Sequence, residues 1–312
     1  MIHRLEDLCR EHSSKPAIQH RIEDTLTFGD MSNRVDRIYE ALSLAGVAMG
    51  SAVGVHMQAS ADWICSILAI IKYGSIYVPL DFRQGRSRLT AIIQECQPAA
   101  ILVDGQTFTP AEDLTSDGRI QRINLTNVVG SAKIPTPILT RTSDQAAFYY
   151  TSGSTGTPKG IPLTNEGILN HMEGMSDRLK VSPSDVMLQQ TAFSFDFSLW
   201  QILIALTNAA SVVIVPDHLR RDAVGIVDLI VKSNVTMTAT TPSEYGSWLR
   251  YGASKLRDSA WTRILCGGEP MPHGLLEDLW ALGKADLKLE HLYGKFSINP
   301  EERCEYPWLT YE

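Results

Sequence analysis

Tyr150-Thr151-Ser152-Gly153-Ser154-Thr155-Gly156-Thr157-Pro158-Lys159-Gly160 is the most specific stretch of this chain. It follows residues 145–150, which read as a strand. Glycines at 153, 156 and 160 allow positive φ and close backbone approach. Successive amides in such a loop can form a concave nest for an anion. The hydroxyls of Thr151, Ser152, Ser154, Thr155 and Thr157 add donors, and Lys159 adds a point charge suited to phosphate oxygens. Glycine, not serine or threonine, follows the lysine, so this is not the common mononucleotide loop. The glycine spacing is not of the dinucleotide kind either. Composition alone leaves a flexible, hydroxyl-rich turn open as the alternative.

Outward from the loop, strands and helices alternate. Residues 31–45 carry Val35, Ile38, Tyr39, Leu42 and Leu44 at helical spacing. Residues 53–57, 75–80 and 99–103 read as strands, with a helix at 88–94. Residues 61–73 are apolar nearly all round, which predicts a buried helix. Residues 104–144 are looser and form the expected connection between two units. The pattern then restarts: helices at 165–179, 197–206 and 223–233, and strands at 211–215, 235–240 and 263–266. Short connections between alternating strands and helices imply α/β units with mostly parallel sheets. Trp248 and Tyr251 read as packing residues, and His171 as a structural histidine.

With 312 residues, 44% hydrophobic and 20% charged, the composition is that of an ordinary globular protein. A net charge of −7 argues against a general nucleic-acid or anionic-membrane surface. The five cysteines, at 9, 65, 96, 266 and 304, have no metal-ligand spacing and read as reduced thiols. The N-terminus lacks a signal-type apolar stretch, and the longest apolar run, 63–71, is too short to span a bilayer. A cytoplasmic location is the expectation by default.

The loop resembles the signature loop of the adenylate-forming superfamily, which includes acyl-CoA ligases, luciferases and adenylation domains of nonribosomal peptide synthetases. Leu26-Thr27-Phe28-Gly29-Asp30-Met31 is similar to that family's first short motif. Ile71-Lys72-Tyr73-Gly74-Ser75-Ile76-Tyr77-Val78-Pro79-Leu80-Asp81 is similar to its second. Phe195-Asp196-Phe197-Ser198 resembles the motif heading the substrate pocket of amino-acid-activating members. Leu265-Cys266-Gly267-Gly268-Glu269 and Leu292-Tyr293-Gly294 resemble the two strands that sandwich adenine. A narrower likeness, carried by residues 88–93, 188–196 and 241–252, is to adenylation domains of fungal polyketide–peptide hybrid synthases.

The resemblance implies the N-terminal large domain of the adenylate-forming fold, with two stacked α/β subdomains at about 1–140 and 141–294. It also implies a reaction: a substrate carboxylate attacks the α-phosphate of ATP and pyrophosphate leaves, with Mg²⁺ assisting. The carboxylate is already ionised at neutral pH, so no general base is needed. By resemblance Thr151, Ser152, Gly153, Ser154, Thr155, Gly156 and Lys159 hold the β- and γ-phosphates, with Thr155 and Lys159 in the catalytic role. Tyr293 stacks on adenine, with Gly267, Gly268 and Glu269 on its other face. Asp196 pairs with the α-ammonium of an amino acid. A carboxylate among Phe193, Phe195, Phe197 and Trp200 is costly to bury without a cation. Capping of the following helix is the alternative role, and both can hold at once. Phe197, Trp200, Thr240, Leu265, Gly267 and Leu292 line the implied pocket, or else are plain core. The set is mostly apolar with Thr240 the exception, which points to an apolar or aromatic amino acid. No protein metal site is expected. A carrier-protein domain is the expected partner in full-length relatives.

After Gly294 the chain departs from the family pattern. The glutamate that supports Mg²⁺ has no match, and residues 295–312 read as a non-homologous tail. Gly294-Lys295-Phe296 can be encoded by GGTAAGTTT, which contains a common fungal intron donor, so an unspliced intron is one expected origin. The family's small C-terminal domain is absent from the sequence. The chain is therefore expected to be weak or inactive, and poorly soluble through uncovered apolar surface near Leu265 and Leu292. An acyl- or aryl-CoA ligase and a non-catalytic remnant that binds nucleotide are the alternatives.

Overall fold

The computed structural model describes residues 2–21, 24–114, 120–128, 144–152, 158–292 and 308–311. In chain order the first elements are α1 (Ile2–Glu11), β1 (Pro16–Arg21), β2 (Asp24–Thr27), α2 (Phe28–Leu44), β3 (Ala52–His56), α3 (Ala61–Tyr73), β4 (Ile76–Pro79), α4 (Arg86–Cys96), β5 (Ala100–Val103) and β6 (Gln121–Asn124). There follow β7 (Gln145–Ser152), β8 (Pro158–Thr164), α5 (Asn165–Leu179), β9 (Val186–Gln189), α6 (Phe197–Leu206), β10 (Ser211–Ile214) and α7 (Ala223–Lys232). The last are β11 (Met237–Thr240), α8 (Pro242–Arg257), β12 (Arg263–Gly267), α9 (His273–Ala281), β13 (Lys288–Leu292) and β14 (Trp308–Tyr311).

The chain forms two compact α/β units. The first contains residues 1–16, 26–175 and 192–196. Its sheet has the order β6-β5-β3-β4-β7-β8. Every pairing there is parallel except the β7–β8 hairpin. The second unit contains residues 17–25, 176–191 and 197–312. Its sheet runs β14-β13-β12-β11-β9-β10-β1-β2. Strands β13 through β1 pair in parallel, and β14 closes one side antiparallel to β13.

Local sequence explains the helices that build these layers. The Thr27 hydroxyl accepts from Asp30 N at 3.1 Å and the Asp30 carboxylate accepts from Thr27 N at 3.1 Å, a capping box that starts α2. Ser60 Oγ accepts from Trp63 N at 3.2 Å to start α3. Gly74, at φ 77°, ends it in the left-handed conformation that glycine adopts without a Cβ clash. Between these caps Trp63 to Ile71 are all buried, as an apolar-all-round helix requires. In the second unit Tyr245, Trp248 and Trp261 are fully buried among aliphatic side chains of α7, α8, α9 and the strands. The polar edge of Trp261 is satisfied by its Nε1 donating to Thr238 Oγ1 at 2.8 Å.

Four expectations need correction. The strand at 145–150 does not open a second sheet: β7 pairs with β4, so the first unit reaches Met175. Strand–helix alternation says that a strand follows, not which sheet it joins. Tyr251 is 62% exposed and is no packing residue, although Trp248 three positions earlier is fully buried. Leu44, assigned to the apolar face of α2, is exposed at its last position. Leu265 and Leu292 are both buried, so neither contributes uncovered apolar surface. Strand β14 lies within the segment read as tail and hydrogen-bonds alongside β13.

Candidate functional site

In the first unit, hairpin β7–β8 frames the glycine- and hydroxyl-rich loop. Thr151 lies directly opposite Lys159 in the antiparallel register, so the two share a face, and both are exposed. A hydroxyl and an ammonium side by side form a donor pair suited to phosphate oxygens. Gly153, Ser154, Thr155 and Gly156, together with the Ser152 side chain, lie outside the described residues. The hairpin is held at the preceding cross-strand pair, Tyr150 and Gly160. Arg88 Nη2 of α4 donates to Tyr150 O at 2.9 Å, and Gly160 N donates to Glu95 Oε1 of the same helix at 3.4 Å. A Cβ on Gly160 would sit 3.2 Å from both Glu95 Oε1 and Tyr150 Cε1. Close packing thus explains the glycine after Lys159.

Asp196 ends the short segment Ala192–Asp196, which belongs to the first unit although the chain on either side belongs to the second. Phe193 is fully buried there, whereas Phe195 is 63% exposed. The expected cluster of both phenylalanines around the carboxylate is therefore not formed as read: Phe193 packs inward on Trp63 while Phe195 faces solvent. Asp196 itself is half-buried.

In the second unit three expected pocket residues meet. Gly267 pairs with Leu292, the last residues of parallel strands β12 and β13. A Cβ at Gly267 would lie 3.3 Å from Leu292 Cβ and O and 3.7 Å from Phe197 Cζ. Leu265, two residues back on β12, shares the Gly267 face. Trp200 is buried one turn into α6.

Thr240 is placed apart from them. It pairs with Cys266, whose side chain lies on the opposite face from Leu265 and Gly267. Its hydroxyl donates to Glu244 Oε2 at 2.5 Å and accepts from Gln190 Nε2, which also donates to Glu244 Oε2 at 2.8 Å. Gln190 and Glu244 were not read from sequence as partners of Thr240. The available signal was Pro242 as first residue of a helix with Glu244 in its opening turn.

The adenine-side residues have defined structural work. Gly268 has φ +81°, a conformation for glycine. The Glu269 carboxylate accepts from Ser243 N at 3.1 Å and Ser243 Oγ at 2.5 Å, at the N-terminus of α8. His291 Nε2 lies 3.1 Å from Glu269 O, which ties β13 to the turn after β12. Tyr293 lies outside the described residues. In α5, burial pushes His171 down to about 4, so it is neutral near pH 7.

A family model described as AMP-binding enzyme matches residues 5–295. The hybrid PKS-NRPS synthetase poxE of Penicillium oxalicum is 42% identical over 310 residues, covering 99% of this chain and 8% of the relative. The polyketide synthase-nonribosomal peptide synthetase pyiS of Pyricularia grisea is 40% identical over 307 residues, covering 96% of this chain and 7% of the relative. The chain thus spans a small fraction of the length of these curated relatives. Among solved structures, the nonribosomal peptide synthetase FmoA3 superposes with a TM-score of 0.84 at 20% identity, over 96% of this chain and 33% of that one. AB3403, a four-domain nonribosomal peptide synthetase bound to AMP and glycine, gives 0.81 at 26% identity, over 94% and 21%. Motif order, two mostly parallel sheets and the matched residues lead to one conclusion: the chain belongs to the AMP-binding enzyme family, the ATP-dependent adenylate-forming ligases.

Proposed function

We propose that this chain activates an α-amino acid with an apolar or aromatic side chain. The amino-acid carboxylate attacks the α-phosphate of ATP, giving an aminoacyl-adenylate and pyrophosphate. The observation that carries the reading is the meeting of Phe197, Gly267 and Leu292 where β12 and β13 end. Carboxyl ends of parallel strands are where open α/β sheets bind ligands. The Phe197 and Leu292 side chains offer an apolar wall, with a gap at Gly267. Asp196, immediately before Phe197 in the chain, supplies the negative charge for an α-ammonium.

Thr151 and Lys159, opposed and exposed, fit the triphosphate as donor and counter-charge. Their work is electrostatic: they hold negative oxygens in place while charge redistributes during transfer. Among the described residues no group of three or more His, Cys, Asp or Glu side chains gathers to hold a metal. Mg²⁺ would be bound in part by the phosphate oxygens, keeping several waters, and would neutralise their charge. In a larger synthetase the adenylate would pass to a carrier-protein domain. Among the described residues no helix is long and apolar enough to cross a membrane.

ATP–pyrophosphate exchange with paired acids tests the reading. Exchange by this chain is expected to be weak, and what there is to be stimulated by phenylalanine or leucine and not by 3-phenylpropionate or 4-methylpentanoate. Exchange confined to the acids without an α-amino group would overturn it and favour an acyl-CoA ligase-type enzyme.

A further inference from the structure

We propose that Arg83 is a positioning residue for Asp196, acting through Phe193 and Ser194; this rests on Asp196 binding the substrate ammonium. Within the first unit, Ala192–Asp196 is a five-residue return from the other unit. It has no regular element of its own, only a turn closed by Phe195 N donating to Ala192 O at 2.9 Å. Its position is set by what grips it.

The grip comes from the turn after β4. Asp81 is almost fully buried and fixes Arg83 three ways: from backbone N at 3.0 Å, from Nε at 2.8 Å and from Nη2 at 2.8 Å. That fork leaves the guanidinium plane no freedom to rotate. The guanidinium carbon lies 4.9 Å from the Phe193 ring centroid and 5.8 Å from that of Phe82. Phe193 also packs on Trp63, with centroids 4.9 Å apart, and near Phe82 at 6.4 Å. Trp63 is in turn fixed by its Nε1 donating to Tyr77 OH at 3.2 Å. Ser194 Oγ donates to Asp81 Oδ2 at 3.4 Å, so the carboxylate that orients Arg83 also takes the next residue of the segment.

Asp81 and Arg83 therefore fasten the segment at 193 and 194, three and two residues before Asp196. Arg83 has no part in the chemistry. It sets where the carboxylate stands, and displacement of a binding group by an ångström costs far more than the loss of a surface contact.

The test is calorimetric binding of phenylalanyl- and leucyl-sulfamoyl-adenosine and of their des-amino counterparts, 3-phenylpropionyl- and 4-methylpentanoyl-sulfamoyl-adenosine. The readout is the affinity ratio for each pair. General structural damage weakens both members and leaves that ratio alone. Wild type is expected to favour the amino form, and Asp196→Asn to lose the preference. Arg83→Met is expected to reduce the ratio about tenfold with the des-amino affinities retained. Arg83→Lys, which keeps the charge beside Asp81 without the planar fork, is expected to recover part of it. Should Arg83→Met not melt cooperatively, Arg83→Lys and Ser194→Ala carry the test, each expected to lower the ratio. A wild-type ratio kept by all the Arg83 and Ser194 variants, with Asp196→Asn losing it, overturns the role of Arg83 alone. A wild type without any preference overturns both this role and the amino-acid reading.

Discussion

A side chain at position 267 would have to share space with Leu292 and Phe197. The 3.3 Å approach to Leu292 Cβ and O is tighter than ordinary packing, and part of it is against backbone that cannot swing away. Gly267 thus sets the depth of the apolar wall. Gly267→Ala is expected to weaken phenylalanyl-sulfamoyl-adenosine about tenfold more than alanyl-sulfamoyl-adenosine, since one methylene in a fitted pocket carries that order of discrimination. Competition binding checks it, and equal losses for both would contradict it. The neighbourhood of Gly267 and Leu292 was legible because a motif could be laid over each. Thr240 was assigned from the same kind of likeness, yet its hydroxyl is committed to Glu244 and Gln190. A motif carries position along a strand. It does not carry the bonds a polar side chain makes with a residue at the end of a strand 50 residues away in sequence or with the helix that follows.

At the scale of elements, the second sheet is fastened near the start of its central strands by an ion pair. Asp185 is almost fully buried and accepts from Arg263 Nη1 at 2.8 Å, Ser182 N at 2.8 Å and Thr236 Oγ1 at 2.9 Å. Burial pushes its carboxyl up, but the Arg263 guanidinium, the Ser182 amide and the Thr236 hydroxyl together hold it below the ordinary value. A depressed folded value means that the charged form stabilises the fold above the unfolded pKa of about 3.9. That contribution disappears as pH falls through the lower folded value. Asp185→Asn is expected to cost roughly 3 kcal/mol at neutral pH, because Arg263 is left without its charge partner. It is also expected to flatten the acid limb of a stability–pH curve from urea denaturation. An unchanged limb would contradict this assignment. Helices were the most legible elements: α3, α5 and α6 have the bounds that the apolar pattern predicts. Strand β9 went unread, since its four residues end in a buried glutamine and lack the unbroken apolar run that marked β5.

For the whole molecule, alternation of strands and helices made the α/β class and the mostly parallel sheets legible. It did not show which strands belong together. β1, near the N-terminus, pairs with β10 through Ile18 and Val212, and β7 extends the first sheet by pairing with β4 through Ala147 and Tyr77. Such pairings are decided by packing between distant segments, and local pattern is blind to them. The same holds for the return of Ala192–Asp196 to the first unit and for the hold of Arg83 upon it. The chain belongs to the AMP-binding enzyme family; the substrate class is proposed from Asp196 and, in the second unit, from the apolar wall of Phe197, Gly267 and Leu292. The most direct test of that class is the affinity of the unmodified chain for phenylalanyl- and leucyl-sulfamoyl-adenosine against the two des-amino analogues. The account predicts at least one amino form bound about tenfold tighter than its counterpart, the order expected of a compensated charge pair. Equal affinities for both pairs, or tighter binding of the des-amino forms, would contradict it.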